Sequence, residues 1–130
     1  MALRCLIVDD NANFLTAVRD LLSRQGIIVV GVASTGSEAV RQAEQLSLDV
    51  ALVDIELGAE SGFDVARLLS GTPCLESLPV VLISGYAEQD LVELIEASPA
   101  VGFVSKSDLS LEAISDALGG TGGDRAGGER

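Results

Sequence analysis

The chain of 130 residues is long enough for one domain with a sizeable core and too short for two ordinary domains. Its apolar fraction of 48% is typical of a globular protein and argues against a disordered chain. The formal net charge of −12, from eight Lys and Arg against twenty Asp and Glu, disfavours direct binding of this chain to nucleic acid.

Cysteine usage and hydropathy predict the cellular compartment. Cys5 lies inside an apolar run, where we expect it to pack as a small hydrophobic residue, and with Cys74 it makes no disulfide framework. Because Met1-Ala2-Leu3-Arg4 runs directly into the first predicted strand, we expect no signal peptide. Since no apolar stretch approaches the roughly 20 residues of a spanning helix, we expect a cytoplasmic protein that does not contact a membrane.

Short apolar runs alternate with segments of helical periodicity along the chain. The first run, residues 6–8, precedes a helix that begins after a cap at Asn11 or Asn13 and stops at Gly26. The pattern then predicts, in order, strand 27–32, helix 37–46, strand 50–54, a loop at 58–62 that opens a third helix, strand 79–83, helix 88–97, strand 101–104 and helix 109–118. This alternation predicts an α/β fold, a doubly wound five-stranded parallel sheet with helices on both faces.

Each predicted helix has an apolar face that we expect to point inward. In chain order these faces contain Phe14, Leu15, Val18, Leu21 and Leu22; Ala39, Val40 and Ala43; Phe63, Val65, Ala66, Leu68 and Leu69; Leu91, Leu94 and Ile95; and Leu111, Ile114 and Leu118.

The composition changes at residue 119. Residues 119–130 are rich in glycine and contain no large apolar side chain, so they cannot bury enough surface to offset the entropy of ordering. We therefore assign the folded domain to residues 1–118. The segment 119–130 is interpreted as a flexible tail or as the start of a linker to a further domain.

Polar residues stand where four of the predicted strands end. Asp9 and Asp10 follow the first strand, Asp54 ends the third, Ser84 follows the fourth and Lys106 follows the fifth. Because sites in open α/β sheets form at the carboxyl ends of the strands, we expect these side chains to share one pocket. The Asp pair alone is equally consistent with a helix start, where acidic residues are favoured. Together with Asp54 it favours a site for Mg²⁺, which prefers carboxylate oxygens.

The ammonium and the hydroxyl extend this chemistry. Lys106 alone would serve to balance the charge of the carboxylates. A divalent cation, an ammonium and the Ser84 hydroxyl together are the groups that a phosphoryl group requires, because they neutralise and hydrogen-bond its oxygens. A carboxylate can then act as nucleophile and form an aspartyl phosphate.

The residues at these strand ends resemble the receiver domain of two-component response regulators. Three further stretches share the resemblance, which covers about residues 3–118: Asp54-Ile55-Glu56-Leu57, Ser61-Gly62-Phe63-Asp64 and Gly102-Phe103-Val104-Ser105-Lys106. The implied fold is flavodoxin-like, (βα)5 with strand order 2-1-3-4-5. The implied function is a phosphorylation-dependent signalling switch, a phosphoacceptor and not an enzyme apart from slow self-dephosphorylation.

The resemblance also implies roles for the residues of the site. Asp54 is the expected phosphoacceptor. Asp10, Asp54 and the backbone carbonyl of Glu56 are expected to bind Mg²⁺, with Asp9 acting mostly through water.

The remaining implied roles concern how the phosphate is held and how its presence is read. Ser84 and Lys106 are expected to bind the phosphoryl group, and Phe103 to swing inward when Ser84 moves. The alternative for Phe103 is a plain core aromatic. We expect Glu56 and Tyr86, which flank the phosphate, to influence its lifetime.

The expected partner is a histidine kinase or a histidine phosphotransfer protein, because these residues contain no histidine of their own. Phosphate would shift a two-state equilibrium. The surface formed by the fourth helix, the fifth strand and the fifth helix is then expected to bind a downstream effector protein or domain, or to form a homodimer.

Three alternatives stay open on the sequence. A haloacid-dehalogenase-like phosphatase uses a similar set of groups, although its nucleophile usually lies on the first motif strand in an Asp-x-Asp pattern. A degenerate receiver would only bind partners. A receiver fragment of a DNA-binding transcriptional regulator is suggested by the run Lys106-Ser107-Asp108-Leu109.

Overall fold

The computed structural model describes residues 3–86 and 88–119. Five strands form the sheet: β1 (Arg4–Val8), β2 (Ile28–Ala33), β3 (Val50–Asp54), β4 (Val80–Ser84) and β5 (Gly102–Ser105). They are all parallel, in the spatial order β2-β1-β3-β4-β5, which confirms the predicted doubly wound topology. The helices are α1 (Ala12–Arg24), α2 (Gly36–Gln45), α3 (Gly62–Ser70), α4 (Val92–Glu96) and α5 (Leu111–Gly119).

The central strands are apolar along their whole length because helices cover both faces of the sheet. Every residue of β3 and β4 is buried, including the polar residues at their carboxyl ends. One face of the sheet packs against α1 and α5, with Leu22 and Ile114 fully buried. The other face packs against α2 and α3, with partly buried side chains of the α4 segment at its margin.

Local capping explains where several helices begin and end. Asn11 caps α1, its side chain accepting a hydrogen bond from the Phe14 N–H, so of the two expected caps the structure uses this one. Gly26 follows α1 with a φ of +87°, a conformation that glycine adopts without strain. Ser110 Oγ accepts from the Ala113 N–H, which starts α5 at Leu111, two residues later than predicted.

The structure corrects the prediction for the fourth helix. Residues 88–97 were expected to form one helix, but Glu88–Asp90 form a 3₁₀ turn and α4 covers only Val92–Glu96. Leu91 and Ile95, one turn apart, pack against the core, whereas Leu94 is 54% exposed. A short helix without a side-chain cap at Leu91 presents only that narrow face to the sheet.

Two other helical faces are narrower than expected, since Leu21 and Leu68 are exposed. The predicted loop at 58–62 contains a two-stranded antiparallel hairpin, Glu56–Leu57 paired with Glu60–Ser61. Residues 120–130 of the predicted tail lie outside the described residues, and Gly119 ends α5. Among the described residues, no helix is long and apolar enough to cross a bilayer.

Candidate phosphoacceptor and metal site

The carboxyl ends of β1, β3 and β4 meet at one edge of the sheet and place three polar side chains in the interior. Asp9 is 0% exposed, Asp54 is 5% exposed and Ser84 is 1% exposed. Asp10 is exposed beside them. Buried carboxylates persist only where they are paired or bind a cation, so this edge of the sheet needs a positively charged partner.

Asp9 is oriented by the turn that follows it. Its Oδ1 accepts a hydrogen bond of 2.8 Å from the Asn11 N–H. The second oxygen, Oδ2, lies 2.9 Å from Lys106 Nζ but accepts no aligned hydrogen bond from the described residues. Asp9 therefore keeps one buried oxygen whose interaction is chiefly with positive charge.

Lys106 reaches back from the turn after β5 and lies between two carboxylates. Its Nζ donates to Asp54 Oδ2 at 3.2 Å and lies 2.9 Å from Asp9 Oδ2. Burial by itself lowers the pKa of Lys106, but the contact with Asp9 and the negative charges of Asp54 and Asp9 outweigh it and raise that pKa. The ammonium therefore stays charged and holds the two carboxylates together.

Asp54 shows the opposite balance of effects. Burial raises the pKa of its carboxyl, and the charge of Asp9 raises it further. The Glu56 N–H, which donates to Asp54 Oδ1 at 3.2 Å, and the Lys106 ammonium offset only part of this. A single ammonium does not neutralise the negative charge of this cluster of carboxylates. A bound divalent cation would reduce the remaining repulsion between them.

The carboxylates of Asp9, Asp10 and Asp54 fit a hard divalent cation. One oxygen from each lies within 4.8 Å of the others. Oxygen donors at this spacing, with Asp10 open to solvent, suit an ion that retains several waters. Asp9 Oδ2 is buried and accepts no aligned hydrogen bond from the described residues, so it can coordinate a cation in addition to its contact with Lys106.

The other predicted residues surround this edge. Ser84 Oγ accepts from the Tyr86 N–H at 2.9 Å, and the Tyr86 ring is exposed. Glu56 is exposed in the hairpin directly after Asp54. Phe103 is half-buried on β5 and packs against the cluster on the α2–α4 face.

The hairpin after β3 is held in place by close backbone contacts. Gly62 N–H donates to the Ile55 carbonyl at 2.7 Å, and a Cβ at Gly62 would overlap the Asp54 carbonyl oxygen. Glu60 Oε1 accepts from the Gly36 N–H at 2.8 Å and so caps the first turn of α2. The loop beside the predicted acceptor is thereby tied to a neighbouring helix.

One contact at this site was missed by the sequence reasoning. Phe14, predicted only as part of the inward face of the first helix, lies with its ring centroid 4.3 Å from Lys106 Nζ. Its position in the first turn after the Asp pair was the available signal. Helical periodicity assigned this aromatic residue to the core and did not indicate a polar neighbour.

The family model for the response regulator receiver domain matches residues 5–118. The chain belongs to this family. Receiver domains are phosphorylation-dependent signalling switches, and the sheet order and the acidic strand ends described above have the arrangement expected of one.

Curated relatives support this assignment. A protein-glutamate methylesterase/protein-glutamine glutaminase of Archaeoglobus fulgidus is 36% identical over 115 residues, which are 87% of this chain and 32% of that protein. The transcriptional regulatory protein PdtaR of Mycobacterium tuberculosis is 28% identical over 79% of this chain and 49% of its own length. The chain therefore spans from about a third to about half of the length of these relatives.

Solved structures agree on the fold. The response regulator domain of Thermotoga maritima CheB is 29% identical, with a TM-score of 0.69, covering 91% of this chain and 90% of that one. The Vibrio cholerae chemotaxis protein CheY4 superposes with a TM-score of 0.76 over 91% of this chain and 97% of that one. At 21% identity the second comparison concerns the fold alone.

Proposed function

We propose that Asp54 accepts a phosphoryl group from a histidine kinase or a histidine phosphotransfer protein. Mg²⁺ would be held by Asp9, Asp10, Asp54 and the backbone carbonyl of Glu56. The receiver unit spans residues 1–118 in this proposal, and 119–130 form a tail or lead into a linker. The 130 residues contain no histidine, so the donor imidazole lies outside them.

The contact of Lys106 with both Asp9 and Asp54 is the observation that carries this proposal. A partly buried ammonium beside a buried carboxylate supplies positive charge where the oxygens of a transferring phosphoryl group would lie. The adjacent group of three carboxylates fits the cation that phosphoryl transfer employs. A bound divalent cation would neutralise further charge on the phosphoryl oxygens.

The chemical step is a single displacement at phosphorus. A carboxylate oxygen of Asp54 forms a bond to phosphorus while the bond from phosphorus to the donor nitrogen breaks. The electron pair of that bond leaves with the imidazole. Asp54 must be ionised to attack, and Lys106 supports the charged form.

The same site contains two residues that respond to phosphorylation of Asp54. Ser84 lies at the end of β4, where its Oγ accepts from the Tyr86 N–H and its O–H can donate to a phosphoryl oxygen. Phe103 lies half-buried on the neighbouring strand. We assign to these two residues the switch between unmodified and modified arrangements. Glu56 and Tyr86, both exposed near the acceptor, modulate the lifetime of the phosphate.

The output surface is proposed to be the α4–β5–α5 face. Val92 and Leu94 of α4, together with Val101 before β5, are exposed apolar residues on this side of the molecule. A downstream effector protein or domain would bind there, or a second copy of the chain. Light scattering with and without a beryllium fluoride phosphoryl mimic tests the second possibility.

Labelling by a small acyl phosphate tests the acceptor. Incubation with acetyl phosphate and Mg²⁺ is expected to add one phosphoryl group, detected as an intact-mass increase that hydroxylamine removes. Borohydride reduction followed by peptide mapping is expected to place the group at residue 54. Asp54→Asn should abolish labelling, and chelation of Mg²⁺ should reduce it to background.

Asp64→Asn is a matched control, because Asp64 is an exposed carboxylate on α3 paired only with Arg67 among the described residues. Unchanged labelling of Asp54→Asn would show the acceptor assignment to be wrong. Labelling that survives chelation would remove the metal from the proposal. Release of many equivalents of phosphate per chain from a phosphomonoester would instead indicate the phosphatase alternative.

A further inference from the structure

The aromatic ring of Phe14 lies against the ammonium that joins the two buried carboxylates. The ring centroid is 4.3 Å from Lys106 Nζ, within the distance at which a cation is attracted to the face of an aromatic ring. An ammonium has three N–H bonds. Asp54 accepts a hydrogen bond from this ammonium, Asp9 lies at ion-pair distance from it, and the Phe14 ring lies against it. The end of β3, the turn after β1 and the start of α1 therefore meet at this ammonium.

Phe14 is itself fixed in position by the turn after β1. Its N–H donates to Asn11 Oδ1 at 3.0 Å, and the Asn11 N–H donates to Asp9 Oδ1 at 2.8 Å. Asp9 Oδ2 then contacts Lys106, whose ammonium returns to the Phe14 ring. These four contacts form a closed circuit that joins the start of α1 to the site.

The burial of the participants strengthens the contact. The side chain of Lys106 is 23% exposed, and Phe14 is half-buried against the cluster beneath α1. A cation–π contact gains strength as water is excluded from it. The lysine stem is flexible, and its contacts with the ring and with the two carboxylates together restrict the position of the ammonium.

We propose that Phe14 is a positioning residue for phosphoryl transfer, and that its ring holds the Lys106 ammonium against Asp54. The inference rests on the proposed role of Asp54 as phosphoacceptor. Phe14 does not touch the reacting atoms. It acts through Lys106, and the face of the ring, rather than its hydrophobicity alone, is the property that the position requires.

Substitution of the ring tests this role. Phe14→Leu keeps an apolar side chain of similar bulk and removes the π face, whereas Phe14→Tyr keeps that face. We expect Phe14→Leu to slow labelling by acetyl phosphate and Mg²⁺ by about two- to thirty-fold, the range that the strength of a cation–π contact corresponds to. Phe14→Tyr should restore a rate close to that of the unsubstituted protein.

Leu15→Ala is the matched control, since Leu15 is the next residue of α1, is also half-buried, and lines a groove between α1 and Val32 of β2. Its labelling rate is expected to be unchanged. All rates are measured well below the unfolding midpoint of each variant. Equal rates for Phe14→Leu and the unsubstituted protein, or equal slowing in Phe14→Leu and Phe14→Tyr, would overturn the proposal.

A second measurement is independent of phosphorylation. Lys106 is the only lysine of the sequence, so selective ¹³C-lysine labelling yields signals from a single residue. Its ε-methylene protons are expected to be shifted upfield by the ring current of Phe14, and to return toward the free-lysine value in Phe14→Leu. Absence of that shift in the unsubstituted protein would refute the contact.

The two measurements separate the possible failures. If the unsubstituted protein cannot be labelled although the upfield shift is present, the assignment of Asp54 as acceptor is wrong while the contact is real. If labelling occurs at Asp54 and Phe14→Leu loses the shift without losing rate, the acceptor is correct and Phe14 does not position Lys106 for transfer.

Discussion

The first and fourth helices contact the same sheet but are built very differently. Helix α1 has 13 residues, a side-chain cap at Asn11 and two fully packed positions, Val18 and Leu22. Helix α4 has 5 residues, no side-chain cap and no buried residue, all five being described. Helix α1 is joined to the site through its capped N-terminus, whereas α4 makes few buried contacts. Segments with few buried contacts are those that can rearrange at low free-energy cost.

This difference matches the two proposed roles: phosphoryl transfer at the site beside α1, and partner binding at the surface that includes α4. The start of α1 is joined to Asp9 and Lys106 by the contacts of Asn11 and Phe14. Leu91 and Ile95 of the α4 segment pack against the same core cluster as Phe103, and Leu94 is exposed. A phosphorylation switch needs a rigid site that binds the phosphoryl group and a weakly packed neighbouring face that can rearrange. Modification of the site can then change the structure of the partner-binding surface.

Truncation of one leucine side chain in each helix, buried Leu22 in α1 and exposed Leu94 in α4, gives the largest expected contrast. Leu22→Ala should lower the free energy of unfolding by about 2–5 kcal/mol, because Leu22 is fully buried and a cavity would remain. Leu94→Ala should change it by less than about 0.5 kcal/mol. Urea unfolding followed by circular dichroism measures both, and comparable losses in the two variants would contradict the comparison.

Removal of the α1 cap gives a smaller effect. Asn11→Ala should destabilise the protein by about 1 kcal/mol, since the Phe14 N–H loses its acceptor. Asn13→Ala, within the first turn of the same helix and exposed, is the control and should cause no loss. If Asn13→Ala were the more damaging change, the cap would be assigned to the wrong residue.

Replacing the proposed acceptor, Asp54, with a neutral residue should stabilise the metal-free protein against unfolding. Burial raises the folded-state pKa of Asp54, so its contribution to stability is present at low pH and is lost as pH rises through that raised value. In the presence of a chelator, Asp54→Asn is expected to gain about 1 kcal/mol at neutral pH. The gain should shrink on acidification, and a pH-independent difference between the two proteins would refute this account.

The two cysteines are expected to differ in their reactivity toward thiol reagents, a comparison that involves no change in stability. Burial raises the pKa of the Cys5 thiol to about 12, and Cys5 lies within β1 with no exposed surface. Cys74 is exposed in the loop after α3. An aromatic disulfide reagent should therefore modify one thiol per native chain and two after unfolding in urea. Rapid modification of both thiols in native protein would indicate that β1 opens far more readily than the packing suggests.

Long, consistent patterns were predicted well. The runs that became β3 and β4 are apolar throughout, and in a doubly covered sheet such runs have one favourable place. The position of Asp54 at the end of β3 followed directly from that assignment. The hairpin at Glu56–Ser61 was not predicted, because strands of two residues carry too little pattern to be distinguished from a loop.

Short amphipathic segments were predicted less well. The spacing of Leu91, Leu94 and Ile95 is compatible with a helical face, but periodicity cannot say which edge of that face a sheet will cover. Packing against the core cluster on the α2–α3 face selected Leu91 and Ile95 and left Leu94 in solvent.

The sequence by itself determined the parallel α/β fold and the four strand ends that carry Asp9, Asp10, Asp54, Ser84 and Lys106. Alternating periodicity and the end of each apolar run are local properties, so they can be recognised without coordinates. Only the tertiary structure decided that Lys106 contacts both Asp9 and Asp54, and that Phe14 lies against its ammonium. Those contacts join distant parts of the chain, and their distances depend on how helices and strands pack.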